Sequence, residues 1–539
     1  MATERFFAAV WRKAAFKTGW AAGLAACFAL PSCVGPDFAL PAAPEIAAFT
    51  PDRQPADNSA GGTAQRLEIG NKLPADWWAL FHSNALNALV ERALRDNPNI
   101  PAAQAALRVT QANVYAEAGQ LLPTAGANYQ GTGGLAASQV SSPLASGANY
   151  YTLHTGQFTV SYVPDIWGGT RRQIENLEAL KDNQRFANEA TFLTLTSSVA
   201  LGAIQEASLR GQIGVTERLI GISKGILEKV RLQKDLGQAT GLDVAGQEAL
   251  VAQTEATLPP LRKALAIQRD ALIVLSGHLP GEGLPERFDF TGLKLPRSLP
   301  VSLPSELVAQ RPDVRAAEEN LHAASALIGV AIANRLPQFS INGDIGRQGT
   351  ALANLLSASP QFFFYTGLAS ASQTIFDGFT LQQRQRAAEA GFDQVAAQYR
   401  MAVLTAFQNV ADALYAIRHD TVGLQKAILA EAAAKKSLDL TRVQLAEGQV
   451  PFQQVLTAQT TYLQASLAVI QAQANRYSDT VGLFQALGGG WWNRQAAPHV
   501  EQPKAWLASV TGVQPDPITT EYPGATQNET RPAAAAAGN

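Results

Sequence analysis

The residues that could carry out catalysis or bind a metal ion are scattered along this sequence. The 539-residue chain has six histidines, and no two stand at a spacing that would let them share one metal ion. Glu318 and Glu319 are adjacent, so in a helix they point to different faces and cannot work as an acid–base pair. No phosphate-binding Gly-Lys-Ser loop and no nucleophile elbow occurs. We therefore predict no enzymatic activity, no metal and no cofactor.

One residue, Cys33, has a candidate chemical role as a modification site. Four basic residues at the start of the chain precede an apolar stretch from Thr18 to Leu30, which is too short to span a bilayer and is typical of a secretory signal. We expect residues 1–32 to be a lipoprotein signal peptide and Cys33 to carry lipid. The alternative is an incidental buried thiol. Since Cys27 lies in the leader, the mature chain would have no disulfide.

The composition excludes one class of partner. Charged residues make up 16% of the chain, the net charge is −2, and no basic run is present. Nucleic acid is therefore not expected as a partner. The apolar content of 47% includes many alanines. Small apolar residues with few charges suit closely packed helices or a body partly embedded in lipid.

The chain contains an internal repeat. Four motifs recur at offsets of 210 to 214 residues: Asn97–Ala103 as Arg311–Ala317, Leu122-Pro123 as Leu336-Pro337, Trp167-Gly168 as Asp377-Gly378, and Leu236-Gly237-Gln238 as Glu447-Gly448-Gln449. A unit this long indicates a protomer of two similar halves rather than a short-repeat solenoid. We predict an N-terminal linker at 33–75, repeats at 76–296 and 297–493, and a disordered tail at 494–539.

Each repeat is predicted to contain two strands. Alternating patterns predict strands at Thr124–Gly131, Tyr151–Val163, around Phe339–Ile345 and around Phe364–Ile375. The longer of these have the length that a tilted membrane-spanning strand needs. Four strands cannot close a barrel, and lipid does not tolerate an open sheet edge. Three chains would supply twelve strands.

Each repeat continues into a very long helix and a returning helix. Thr170–Leu236 and Thr380–Glu447 would each span roughly 100 Å at 1.5 Å per residue. Gly237 and Gly448 mark the turns that follow them. The returning helices are predicted at 242–276 and 452–487, and Pro259-Pro260 should kink only the first.

The second long helix has two apolar seams with a seven-residue period, which predicts two neighbouring helices. The faces between the seams are polar, as the wall of a water-filled tube requires. One seam comprises Ala388, Phe392, Val395, Tyr399, Ala402 and Ala406, and the other comprises Val403, Phe407, Val410, Leu414 and Ile417.

These features resemble the TolC/OprM-like outer-membrane efflux proteins, and within them the NodT-type lipoprotein branch. The similarity covers about residues 30 to 493. The matching motifs are Cys33–Phe38 with Pro41, Trp77-Trp78 with Phe81, Leu303–Leu307 with Arg311–Glu318, Ile328–Ala331, and Ala486–Trp491.

The resemblance implies a mixed α/β membrane protein: a homotrimer with a 12-stranded outer-membrane barrel, four strands per chain, continued by a periplasmic α-helical barrel. It implies a passive duct that receives substrates from an inner-membrane pump through a periplasmic adaptor. Location in the outer membrane with a lipid anchor follows from the same resemblance. The alternative is a periplasmic coiled-coil scaffold lipoprotein without a channel.

The resemblance also implies roles for residues at the two hairpin tips. The adaptor would dock at Gly237, Thr240, Asp243, Gly448 and Gln449, although Thr240 and Asp243 could equally act as helix caps. Where the family commonly has two aspartates at the pore constriction, this chain has Gln454 and Thr457. We therefore expect a mouth with weaker cation selectivity.

Overall fold

The computed structural model describes residues 34–42, 44, 46, 48–52, 57–135 and 150–494. The predicted signal peptide, Cys33 and the tail after Arg494 lie outside the described residues. None of the helices in the described part combines the length and the apolar composition that a membrane-spanning helix requires.

The same order of elements occurs twice along the chain. The first series is α1 (Asn84–Asp96), α2 (Asn99–Ala118), β3 (Thr124–Leu135), β4 (Tyr150–Tyr162), α3 (Gly169–Asp235), α4 (Gly241–Glu255) and α5 (Leu258–Leu275). The second is α6 (Pro304–Gln310), α7 (Pro312–Ala333), β6 (Gln338–Gly349), the short α8 (Ala353–Leu356), β7 (Phe363–Ser372), α9 (Thr380–Ala446) and α10 (Phe452–Ala486). The predicted strands and helices are thus confirmed, with bounds shifted by a few residues.

The chain divides into two compact units. One includes residues 116–176 and 324–392 and holds the four long strands, and the other includes residues 177–323 and 393–494 and holds most of the helices.

The four long strands form one antiparallel sheet in the order β3-β4-β6-β7. Side chains alternate between its faces, as the period of a strand requires. Phe158 is paired with Ile345 on one face, whereas Ser161 donates a hydrogen bond to Asn342 Oδ1 at 2.7 Å on the other. The sheet therefore has an apolar face and a polar face.

A smaller sheet lies in the segment predicted as a linker. Strands β1 (Asp57–Ala60) and β2 (Thr63–Ile69) form a hairpin, and β2 pairs in parallel with β5 (Ser298–Val301). The prediction of an unstructured linker is wrong here. The hairpin is short and polar, so its strands carry little pattern, and a residue more than 400 positions away holds it in place.

That residue is Arg476, whose side chain is only 2% exposed. Its guanidinium donates hydrogen bonds to the carbonyl oxygens of Asn58, Ala60 and Thr63 and to Gln65 Oε1, at 2.8 to 3.0 Å. Burial lowers the pKa of this guanidinium. Four acceptors replace the water that the buried cation has lost.

The long helices α3 and α9 each contain 67 residues, roughly 100 Å. The first returning segment is broken after Glu255, just before Pro259, into α4 and α5, whereas α10 runs unbroken for 35 residues. The predicted difference between the two halves is confirmed. Proline lacks the N–H that would continue the helical hydrogen bonds.

Four helices share an apolar core near the hairpin tips. It is built from residues of α3, α4, α9 and α10, including Val230, Val244, Leu438 and Val455. On α9 the predicted seam through Val410, Leu414 and Ile417 is buried. The other predicted seam is mostly half-buried within one chain.

Candidate functional site

The tip of the first hairpin is a tightly capped turn. Gly237 has φ +74°, and the Gln238 N–H donates to the Gln233 carbonyl at 2.7 Å, which closes the end of α3. Thr240 Oγ1 accepts from the Asp243 N–H at 3.2 Å, and Asp243 Oδ2 accepts from the Thr240 N–H at 2.8 Å. The helix-capping role of Thr240 and Asp243 is therefore confirmed, and their role in docking stays a prediction.

Exposed leucines surround this turn. Leu232, Leu236 and Leu242 are 60%, 65% and 82% exposed. Leu232 lies near the end of α3, Leu236 directly after it and Leu242 in the first turn of α4. Several large exposed apolar side chains around one loop are typical of a protein-binding surface. The exposure of Leu236 and Leu242 was not predicted from the sequence.

The tip of the second hairpin has the same helix end and a different helix start. Gly448 has φ +69°, and the Gln449 N–H donates to the Gln444 carbonyl at 2.9 Å. Gln449 Nε2 also donates to Glu447 Oε2 at 2.7 Å. Pro451 occupies the N-cap position of α10 and provides no side-chain hydrogen bond. The second turn is therefore held by backbone contacts, by the Gln449–Glu447 hydrogen bond and by the restricted backbone of Pro451.

Both residues predicted for the pore constriction are exposed on α10. They line a groove between α9 and α10 with a volume of about 310 Å³, and all its lining residues are uncharged. The lining consists of Ala434, Ser437, Thr441, Gln453, Gln454, Thr457, Ala458 and Thr461. Amide and hydroxyl dipoles therefore replace charge at this surface.

The residues directly after Cys33 are held by a buried arginine that the sequence did not reveal. Arg172 is 5% exposed and donates from Nε to the Val34 carbonyl at 3.2 Å and from Nη2 to Asp37 Oδ1 at 2.7 Å. The Val34 N–H donates to the Trp167 carbonyl at 3.1 Å. A Cβ on Gly35 would come within 2.5 Å of Gly329 Cα, so the two backbones touch. This close contact leaves no room for a side chain at either position and explains why both residues are glycine.

In the second hairpin, away from its tip, the acidic side chains of Asp420 and Asp479 interact with each other. Burial raises the pKa of Asp479 on α10 to about 7, and the charge of Asp420 on α9 and its hydrogen bond with Asp479 add to the shift. No group of His, Cys, Asp and Glu in the described residues is arranged to hold a metal ion.

A membrane-length sheet with one apolar face, joined in sequence to two 100 Å helical hairpins, is the architecture of an outer-membrane channel protein. The chain belongs to the outer membrane efflux protein family, whose model matches residues 89–278 and 303–489.

Among relatives, the chain is 30% identical over 424 residues to the pyoverdine export outer membrane protein OpmQ of Pseudomonas putida, covering 77% of this chain and 88% of that protein. It is 26% identical over 445 residues to outer membrane protein OprJ of Pseudomonas aeruginosa, covering 81% and 90%.

Solved structures agree on the fold. The outer-membrane channel OprN matches with a TM-score of 0.76 and 25% identity over 85% of this chain and 99% of that one. The Campylobacter jejuni CmeC outer membrane channel has the same fold, with a TM-score of 0.75 over 85% and 94%. This chain is therefore an outer-membrane efflux channel protein, and its role is transport.

Proposed function

We propose that three copies of this chain form a passive duct, with a 12-stranded barrel in the outer membrane and an α-helical barrel in the periplasm. The observation that carries the proposal is the sheet β3-β4-β6-β7, whose outer strands β3 and β7 have no strand neighbour among the described residues. Unpaired backbone groups cost several kcal/mol each in hydrocarbon. A second and a third copy would pair both edges and close the sheet.

The helices support the same assembly. Exposed apolar side chains follow one side of α9 at intervals of 3, 7, 11 and 18 residues, all close to multiples of the 3.6-residue helical period. They are Met401, Leu404, Val422, Leu429, Leu440 and Val443, each between 49% and 63% exposed. This stripe, which no described residue covers, extends over 43 residues, and its length suits a long neighbouring helix from another copy.

In this proposal Cys33 carries the lipid anchor, and the Arg172 contacts hold the residues that follow it. The two tips, with Gly237, Thr240, Asp243, Gly448 and Gln449, receive a periplasmic adaptor, and the exposed leucines of the first tip supply apolar contact area. An inner-membrane pump completes the system. Relatives named as efflux pump outer membrane proteins, such as TtgC of Pseudomonas putida, support this assignment.

The proposal is tested on protein extracted from the outer membrane in detergent. We expect a species that migrates as a trimer without heating and as a monomer after boiling, and we expect ion conductance in planar bilayers. A monomeric, non-conducting species would instead support the periplasmic scaffold.

A further inference from the structure

One arginine lies on the apolar face of the four-stranded sheet. Arg347 on β6 pairs with Gly156 on β4 and with Phe363 on β7. Paired residues share a face of a sheet, and so do residues two positions apart on one strand. Arg347 therefore lies on the same face as Ile345. In the proposed barrel this face meets lipid, where a charged side chain needs a partner.

The strands supply no counter-charge for this arginine. Residues 118–164 and 336–376 contain all four strands, and their only Asp, Glu, Lys or Arg residues are Asp344 and Arg347. Asp344 lies on the polar face and accepts a hydrogen bond from Gln157 Nε2 at 3.4 Å. The Nη1 atom of Arg347 is buried and has no hydrogen-bond partner among the described residues. Strands from further copies have the same sequence, so they add no carboxylate to this face.

The depth of Arg347 in the proposed barrel points to the outer edge of the membrane. It lies nine positions after Gln338, the first residue of β6, which follows the end of α7 at Ala333. Nine residues at about 3.4 Å each span about 31 Å along a strand. With a strand tilt of about 40°, the height is about 23 Å, close to the roughly 25 Å of an apolar band. The guanidinium would thus reach the headgroups of the outer leaflet.

The short helix α8 lies against the same face, beside Arg347. A Cβ on Gly156, the partner of Arg347, would lie 3.6 Å from Leu355 Cδ1. A Cβ on Gly349, two positions after Arg347, would lie 2.6 Å from Asn354 Cβ. Both glycines belong to the apolar face, so the segment between β6 and β7 folds back over that face.

Other side chains at this level suit the boundary between hydrocarbon and headgroups. Leu352, just before α8, and Leu356, at its end, are 56% and 91% exposed. Tyr129 is the β3 partner of Gly156, and its hydroxyl lies 2.9 Å from His154 Nδ1. An aromatic ring with a polar end is typical of the membrane interface. The arginine is therefore surrounded by groups that contact both parts of a lipid.

We infer that Arg347 binds the phosphate of an anionic lipid in the outer leaflet, and that Leu352 and Leu356 contact its acyl chains. A guanidinium fits a phosphate through two parallel hydrogen bonds, and the lipid supplies the negative charge that the strands lack. The inference rests on the proposed barrel and adds a ligand to it, with one site per chain and three per trimer.

The test is binding of diphosphoryl lipid A to the purified full-length trimer in detergent, with bound lipids counted by native mass spectrometry. We expect up to three lipid A molecules per trimer. Arg347→Gln should bind lipid A about tenfold more weakly, because it loses the charged donor pair. Arg347→Lys keeps the charge without the planar donors, so its affinity should lie between the two. Phosphatidylcholine, which has no net charge, should bind to wild type and Arg347→Gln equally.

The matched control is Asp344→Asn, which neutralises the other charged residue of the sheet on its polar face and should leave lipid A affinity unchanged. If trimeric Arg347→Gln binds lipid A as tightly as wild type, the site is refuted. Displacement of lipid A by millimolar inorganic phosphate would show a site for free phosphate and would also overturn the inference. Should Arg347→Gln form no trimer, the comparison of wild type with Arg347→Lys decides. A wild-type chain that shows no trimer before boiling would instead refute the proposed assembly.

Discussion

The two helical hairpins have the same length and end their long helices in the same way, but they are held by different interactions. In the first, ion pairs join the long helix to the returning helices: Lys224–Glu255 and Arg231–Glu248 at 2.6 Å, and Arg262–Glu217 at 2.9 Å. In the described residues no ion pair joins α9 to α10. There the polar contacts are Ser466 with Glu431 at 2.7 Å and the Asp420–Asp479 pair.

The two repeats therefore share a backbone arrangement but differ in the side chains that hold it. At an offset of 211 residues, Leu265 corresponds to Arg476 and Gln268 to Asp479. The returning segment of the first hairpin starts with a capping box, is joined to the long helix by ion pairs and is broken near Pro259. The returning helix of the second hairpin is continuous, starts without a side-chain cap and contains the buried Arg476. The returning helix of the second hairpin is therefore one place where pH should alter stability.

The largest effect is expected at Arg476. Arg476→Ala removes the donors that satisfy four acceptors of the β1–β2 hairpin, at a cost of about 3 kcal/mol. Hydrogen exchange of the β1 and β2 amides should then be roughly 100-fold faster. Arg476→Lys keeps the charge but not the planar set of donors, so its exchange rates should lie between those of wild type and Arg476→Ala. Leu265→Ala at the equivalent position serves as control, and unchanged exchange in Arg476→Ala would show that β2–β5 pairing holds the hairpin instead.

The next effect concerns pH. In the folded state the pKa of Asp479 is raised to about 7 from an ordinary 3.8, so its stabilising contribution is full below about pH 4 and is lost as pH rises through 7. Because Asp479 is partly exposed, the free energy of unfolding should fall by only on the order of 2 kcal/mol. Thermal unfolding in detergent at pH 5 and pH 8 should show a smaller pH difference for Asp479→Asn than for wild type.

Asp420→Asn is the matched variant. It should remove only part of the pH difference, because burial of Asp479 is the main cause of its shift. If Asp479→Asn and wild type lose stability equally between the two pH values, the acidic pair does not govern this hairpin.

A smaller effect is expected at the tips. Thr240→Ala removes the capping box of α4 and should cost about 1 kcal/mol locally. Hydrogen exchange in the first turn of α4 should rise toward that of the first turn of α10, which begins at Pro451 without a side-chain cap. If the first turns of α4 and α10 already exchange at the same rate in wild type, the capping box does not make the first tip more stable than the second.

The last prediction changes selectivity and leaves stability nearly unaltered. Gln454→Asp places one carboxylate per chain in the uncharged groove, so reversal potentials in a salt gradient should shift toward cation preference. Gln238→Asp adds the same charge at the exposed turn of the other tip and should shift them less. A wild-type channel that already prefers cations strongly would contradict the predicted neutral mouth.

Much of the fold could be predicted from the spacing of apolar residues and from the glycines and prolines that end helices. The glycine turns at Gly237 and Gly448, the helix lengths and the break near Pro259 follow from local rules, because a helix ends where its backbone can no longer continue. The β1–β2 hairpin was missed because its stability comes from Arg476, far away in sequence. The capping role of Thr240 could be predicted, since Asp243 stands three residues later.

The repeat, the four long strands and the uncharged pair Gln454 and Thr457 could be recognised without the structure, since each depends on residue types at short range or on a copied pattern. The surfaces that no described residue covers, namely the edges of β3 and β7 and the apolar stripe on α9, became clear only from the tertiary structure. The tertiary structure also determines which charged groups are removed from water: Arg172 and Arg476 are buried, and Asp479 is half-buried. Burial depends on contacts between distant segments, and no local pattern contains that information.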